Sequence, residues 1–182
     1  FLLTGCVPKI EVSSRTAATL TSPVFVLGCG RSGTTILSSI LGHIPGAVFL
    51  NEPRVLWINA LEHFDIWSTL SDRRKGTLRF DSEDISEKSA SFLRNMHRDV
   101  LAAAAAATTK TFILEKFPEH VFKISALLRI FPTAKFVHII RDPHDVAISI
   151  GSFERYAWFG ATDRKWKEIW KIASSILPAD MI

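Results

Sequence analysis

Cysteine is scarce in this 182-residue chain: Cys6 and Cys29 stand far apart, with no C-x-x-C pair and no His/Cys cluster near either. That spacing argues against a disulfide framework and against a zinc site, and leaves two buried thiols as the expectation. Long apolar runs are also missing, none approaching the roughly 20 residues a membrane-spanning helix needs. No Lys/Arg block exceeds the "DRRK" of 72–75, so a net charge of +4 favours anionic partners only weakly. Aromatic and basic residues do not interleave on any one stretch, which speaks against nucleic acid. There is no internal repeat and hence no solenoid. What the chain does have is 47% hydrophobic residues, enough to build the core of one folded domain.

Four short apolar runs alternate with helical patterns, the habit of a parallel sheet wrapped by helices. "VFVLG" (24–28) leads into a helix with Ile36, Leu37, Ile40, Leu41 and Ile44 at helical spacing, closed by Pro45-Gly46. "AVFL" (47–50) ends on Asn51-Glu52-Pro53, and "TFIL" (111–114) ends on Glu115-Lys116. A helix then begins at Pro118, expected to bury Val121, Ile124, Leu127 and Leu128 before Pro132 stops it. "AKFVHII" (134–140) is the fourth strand, and Arg141-Asp142-Pro143 opens another helix.

Between the second and third strands lies a mostly helical insert, about 54–110. Its "RVLWINALEHF" is amphipathic, its "LSDRRKGTLRFDSED" reads as a polar loop, and the run Ala102 to Ala107 needs no function because alanine is the best helix former. Residues 1–21 form an N-terminal extension; its "FLLTGC" resembles a bacterial lipoprotein cleavage site, although no charged segment precedes it. The remainder, 22–182, forms one domain whose last stretch carries Trp166, Ile169, Trp170 and Ala173 on a packing stripe.

The chemistry is sought first in "VFVLGCGRSGTT" (24–35), which almost spells the phosphate-cradling loop G-x-x-x-x-G-K-[ST]. Gly28 and Gly33 have the spacing and Thr35 holds the last place, but Thr34 stands where the lysine belongs. Glycines let the backbone approach an anion, the N–H groups of residues 32 to 35 point toward it from a positive helix end, and Arg31 adds a planar donor fork. An ordinary strand-to-helix turn is the bland alternative.

Ligands in open parallel sheets bind at the carboxyl ends of the strands. The four ends here deliver the glycine loop, Glu52, Lys116 and Arg141, so one crevice gathers a phosphate cradle, a carboxylate and two cations. Arg141 occupies the place where loop-bearing nucleotide hydrolases usually keep a magnesium aspartate, which argues against a metal. Asp142 reads as an N-cap with Pro143 first in the helix, and Ser149 falls two turns on, beneath Asp142, so that Arg141 and Ser149 bracket a second phosphate. Singly these residues have structural readings: Glu52 as partner of Arg54, Lys116 as a surface partner of Glu115, Ser149 as a solvated helix serine. His138 reads as a packed core residue and His144 as solvated.

With both segments in view, the chain resembles the sulfotransferases that use 3′-phosphoadenosine 5′-phosphosulfate (PAPS). The family's 5′-phosphosulfate loop is similar to "GRSGTT" (30–35), and its 3′-phosphate signature to "RDPHDVAIS" (141–149), in the family's order. The likeness continues through "LEKFPEHVFKISALLRIFPTAKFVHIIRDP" (114–143) and covers most of 22–155. Arg31, in place of the lysine of cytosolic small-molecule members, together with "NEP" after the second strand, makes the chain similar to the tyrosyl-protein and bacterial-type branches.

The resemblance implies a three-layer α/β fold of P-loop type, with a central parallel sheet flanked by helices. It implies that Gly30, Arg31, Ser32, Gly33, Thr34 and Thr35 hold the 5′-phosphosulfate and that Arg141 and Ser149 hold the 3′-phosphate. Glu52 would be the base, with Arg31 and Lys116 neutralising charge, and no metal would be required. PAPS has no β/γ-phosphate chain to grip, which accounts for the missing lysine. The acceptor stays open among carbohydrate, peptide tyrosine, lipid and small molecule, as does the oligomeric state. Family members usually continue to a basic, glycine-containing loop over the 3′-phosphate, so a chain incomplete at its C-terminus is expected. A cytoplasmic location fits the lack of an identifiable anchor; a Golgi enzyme cut from its anchor would look the same. The rival readings are a magnesium-dependent nucleotide kinase or NTPase, with Glu52 or Asp142 on the metal, and a non-catalytic nucleotide-binding module.

Overall fold

A computed structural model describes residues 22–61, 64, 79–107 and 109–151. The N-terminal extension with Cys6, most of the polar loop including "DRRK", and the stripe of Trp166 to Ala173 lie outside the described residues.

The elements in order are β1 (Val24–Gly28), α1 (Thr34–Leu41), β2 (Ala47–Asn51), α2 (Arg54–Ala60), α3 (Glu87–Ala107), β3 (Phe112–Lys116), α4 (Ile124–Ile130), β4 (Lys135–Ile139) and α5 (Pro143–Gly151). The strands form one parallel sheet in the order β2-β3-β1-β4. Because all four run the same way, their carboxyl ends open on one edge, with Gly28 opposite Ile139 and Asn51 opposite Lys116.

Each face of the sheet is covered, which is why β1 is a continuous apolar run rather than an alternating one. Phe25 and Leu27 join Trp57, Leu93, Phe117, Val121, Leu127 and Ile130 in the larger core beneath α2, α3 and α4. Val26, Ala47 and Leu114 meet Leu37 and Leu41 of α1 on the other face. The result is the expected three-layer α/β arrangement around a parallel sheet. No helix among the described residues is long and apolar enough to cross a membrane.

Three expectations need correction. The apolar set of α1 divides: Leu37 and Leu41 face the sheet, while Ile36, Ile40 and Ile44 are 71%, 64% and 44% exposed. The buried contacts of this helix include the small Thr34 and Ser38, which allow close packing on the sheet, and two neighbouring apolar rows left the periodicity ambiguous. The helix expected from Pro118 is two pieces, a 3-10 turn Pro118–Phe122 and then α4, broken at Lys123; Val121 and Leu127 are buried, but Leu128 is 40% exposed. Finally, β3 spans Phe112–Lys116, two residues past the apolar run 111–114, so the Glu115 and Lys116 side chains take opposite faces of the sheet.

Candidate functional site

β1 delivers the chain to its loop through a narrow gap. A Cβ on Gly28 would lie 2.7 Å from the Ile139 carbonyl oxygen of β4, so only glycine fits. Ser32 N–H bonds back to Cys29 O at 3.1 Å, and Arg31 and Gly33 adopt φ of 71° and 98° to turn the chain into α1. The first amide satisfied inside the helix is Leu37 N–H, to Gly33 O at 3.0 Å. The preceding turn of N–H groups therefore stands at a positive helix end, and no acidic side chain occupies that turn. Ser32 Oγ is buried in the same loop without a hydrogen-bond partner. Such an atom costs free energy unless something completes it, and an anion on this loop would. Thr34 is buried, Thr35 exposed, and Gly30 and Gly33 are half-buried. The Cys29 thiol behind the loop is pushed up to about 12 by burial, as expected for an inert packing cysteine.

The segment after β4 reaches this loop. Arg141 Nη1 donates to Arg31 O at 3.2 Å, and Arg31 Nε donates to Ser149 Oγ at 3.1 Å. Arg141 also faces Asp145 at 3.6 Å, one turn into α5. Asp142 caps α5 as the sequence suggested, accepting His144 N–H at 2.8 Å, and these backbone bonds hold its carboxyl below the usual range. The structure thus brings Arg31, Arg141 and Ser149 together, although they come from segments more than a hundred positions apart.

Glu52 follows β2 with a φ of 47°. Among the described residues, Arg31 and Glu52 are the non-glycine residues with positive φ, a conformation that costs about 1–3 kcal/mol and persists where surrounding contacts enforce it. The contacts here are plain. Glu52 N–H bonds to Lys116 O at 2.7 Å, its Oε1 accepts from Lys116 Nζ at 2.5 Å, and its Oε2 accepts from Arg54 Nη2 at 2.9 Å. Arg54 is itself held by Glu119 at 3.1 Å and lies over the Phe117 ring at 4.7 Å. Burial alone would raise the Glu52 carboxyl, but the hydrogen bond and charge of Lys116, followed by those of Arg54, bring it below its ordinary value. The anticipated Glu52–Arg54 pair is present. The alternative surface pair of Lys116 with Glu115 is not: Lys116 is buried and engages Glu52.

Glu115 belongs instead to a buried cluster on the far face, which sequence reasoning missed. Its Oε1 accepts from Trp57 Nε1 and His120 Nε2, both at 2.6 Å, and its Oε2 from His97 Nε2 at 2.9 Å. The other His97 nitrogen faces Leu93 O at 2.9 Å. A signal did exist in the sequence, since His97 sits on the buried stripe Ala90, Leu93, His97, Leu101 of α3. His138, expected in the core, is only half-buried, with an unpartnered Nδ1 and a pKa lowered by burial; His144 is exposed, as expected. Among the described residues, no group of three or more His, Cys, Asp or Glu side chains is gathered as a metal ion would need.

The fold and its charged strand ends define an α/β protein whose polar residues assemble at the carboxyl edge of a parallel sheet. The chain belongs to the sulfotransferase family, whose model matches residues 23–173. It is similar to the omega-hydroxy-beta-dihydromenaquinone-9 sulfotransferase Stf3 of Mycobacterium tuberculosis and of Mycobacterium bovis, 60% identical over 37 residues, 20% of this chain and 9% of the relative. An uncharacterised protein of Aquifex aeolicus is 27% identical over 133 residues, 70% of this chain and 16% of the other. The chain thus spans well under two thirds of the length of the curated relatives it matches. Among solved structures, the sulfotransferase STF1 of Mycobacterium tuberculosis aligns with a TM-score of 0.46 at 17% identity, over 92% of this chain and 63% of that one.

Proposed function

We propose that this chain transfers a sulfuryl group from PAPS to a hydroxyl or amine acceptor. The observation that carries the reading is the meeting of Arg31, Arg141 and Ser149, which sets a helix mouth and a guanidinium beside one another where a nucleotide with two separated anionic groups would need both. The unpartnered Ser32 Oγ and the orphan amides of α1 fit the 5′ side, together with Gly30, Gly33, Thr34 and Thr35. Arg141 and Ser149 fit the 3′-phosphate.

The donor supplies an activated sulfur, and the protein's work is positioning and charge stabilisation, as in phosphoryl transfer. Glu52 takes the acceptor's proton as the new oxygen–sulfur or nitrogen–sulfur bond forms and the bond from sulfur to the phosphate oxygen breaks. Arg31 and Lys116 stabilise the sulfuryl oxygens and the departing phosphate. No residue is assigned to a metal. A thermal-shift comparison tests the reading: a hundredfold excess of adenosine 3′,5′-bisphosphate over its Kd should stabilise the chain by about 2.7 kcal/mol. Stabilisation by ATP with magnesium, and none by the bisphosphate, would overturn it in favour of a nucleotide kinase or hydrolase.

A further inference from the structure

We propose that Lys116 is a shared cation, handed from Glu52 to an anionic group arriving in the 30–35 loop, so that Glu52 becomes a competent proton acceptor only once the donor is seated. This rests on the reading of the loop and of Glu52 given above, and adds an order of events to it.

The geometry supplies each element of the handover. By the alternation of β3, Lys116 shares its face with Leu114, the face that α1 covers; its neighbour across β1 is Val26, two residues before Gly28 opens the loop. Its neighbour on the other side is Asn51, immediately before Glu52. Lys116 therefore sits in the sheet between the strand that carries Glu52 at its end and the strand that feeds the glycine loop. It is 3% exposed, so it cannot relax into water and must choose among internal anions. Glu52 takes one of its three donors, and the head is carried on a flexible four-carbon stem.

Arg54 makes the exchange workable. It grips the other Glu52 oxygen and is fixed in turn by Glu119 and the Phe117 ring, so the carboxylate keeps its place when the lysine leaves. With both cations in place, Glu52 is held below its ordinary basicity despite being partly buried. Withdrawal of Lys116 removes the hydrogen bond and the charge that lower it most, and burial then favours proton uptake. An acceptor arriving before the donor meets a base that is still neutralised.

Linkage turns this into a measurement, because whatever the donor does to the Lys116–Glu52 pair, the pair does to the donor. Calorimetric titration with adenosine 3′,5′-bisphosphate is carried out on the full chain, on Glu52→Gln, on Lys116→Met and on the double variant. Glu52→Gln should bind the bisphosphate about fivefold tighter or more, since the lysine is already released. Lys116→Met should bind more weakly, and adding Glu52→Gln to it should change nothing further. Equal tightening with and without Lys116 would mean that Glu52 acts only as a distant like charge, and the handover would be overturned. Absence of bisphosphate binding to the unaltered chain is a different result, removing the nucleotide reading itself and the handover with it. Lys116→Gln serves in the same cycle if the methionine variant does not fold.

Discussion

Arg31 Nε donates to Ser149 Oγ at 3.1 Å, joining the glycine loop to the second turn of α5 across 118 positions of sequence. The bond makes the two halves of the proposed donor site one mechanical unit. Ser149→Ala should therefore weaken adenosine 3′,5′-bisphosphate binding and should do so less once Arg31 is also replaced. A double-mutant cycle read by calorimetry is expected to give a coupling of about 0.5–1.5 kcal/mol, the range of a net hydrogen bond. Strict additivity would show that the contact has no part in binding.

Arg141 carries the charge of the same half-site, and its side chain is 41% exposed. Arg141→Ala should lower bisphosphate affinity by about 1.5–3 kcal/mol, the value of a charged hydrogen bond, and the loss should shrink as salt is raised. Adenosine 5′-phosphate, which lacks the 3′-phosphate, should feel the change far less. Parallel titrations with the two nucleotides check both points, and an equal effect on both would move Arg141 away from the 3′ side.

Glu52 owes its strained φ of 47° and its two ion pairs to contacts that hold a carboxylate at the end of β2. Glu52→Gln keeps the shape and removes the basicity, so turnover in a radiolabelled-sulfate transfer assay should fall by about 10²–10⁴ with donor binding not weakened. Turnover equal to that of the unaltered chain would show that another group takes the proton.

Much of this arrangement was legible in the sequence, for a physical reason: parallel strands buried on both faces are short apolar runs, and whatever follows each one must emerge at the same edge. Gly28, Glu52, Lys116 and Arg141 could be placed there by that rule alone. Partnerships were harder to read. That Lys116 would turn to Glu52 and Glu115 to two histidines depended on whether β3 stopped before those residues or ran through them, and an apolar run does not say where hydrogen bonding ends. The positive φ values of Arg31 and Glu52 were equally hidden, since neither residue type favours that conformation. On α1, adjacent rows of isoleucine and leucine offered two faces, and the choice was made by the close fit of Thr34 and Ser38 on the sheet.

Gly28 and Gly33 both hold a positive φ, 154° and 98°, and differ in the space around them. At Gly28 a Cβ meets the Ile139 carbonyl oxygen at 2.7 Å and Ile139 Cγ2 at 2.8 Å, whereas at Gly33 the nearest atom is Ile139 Cδ1 at 3.5 Å and the difficulty is the φ of 98°. Gly28→Ala must push β4 away from β1 and should lose about 2–3 kcal/mol. Gly33→Ala should lose about 1–2 kcal/mol from backbone strain alone. Urea denaturation of both variants tests the ranking; the reverse order would mean that β4 yields more easily than the loop.

The Glu115 cluster sets the acid limit of the fold. Burial would raise this carboxyl, yet the bonds from His120 and His97 lower it from an ordinary 4.5 to about 2. His120 is itself lowered from 6.5, chiefly by burial, with Glu115 opposing. Both groups bind protons more readily in the unfolded chain, so each contributes stability that is complete above its ordinary value and lost as pH falls toward its folded one. The urea midpoint should therefore begin to drop below about pH 6.5 as His120 is drawn toward protonation, and should drop further between about pH 4.5 and pH 2 as Glu115 follows. Glu115→Gln replaces an acceptor of three N–H groups with an amide that cannot accept them all, and at neutral pH should cost about 3–5 kcal/mol, as breaking a buried charged pair does. The variant should also lose the lower step of the pH profile while keeping sensitivity near His120. A midpoint in the unaltered chain that stays level from pH 7 to pH 3 would show that the cluster is not ionised as its geometry requires.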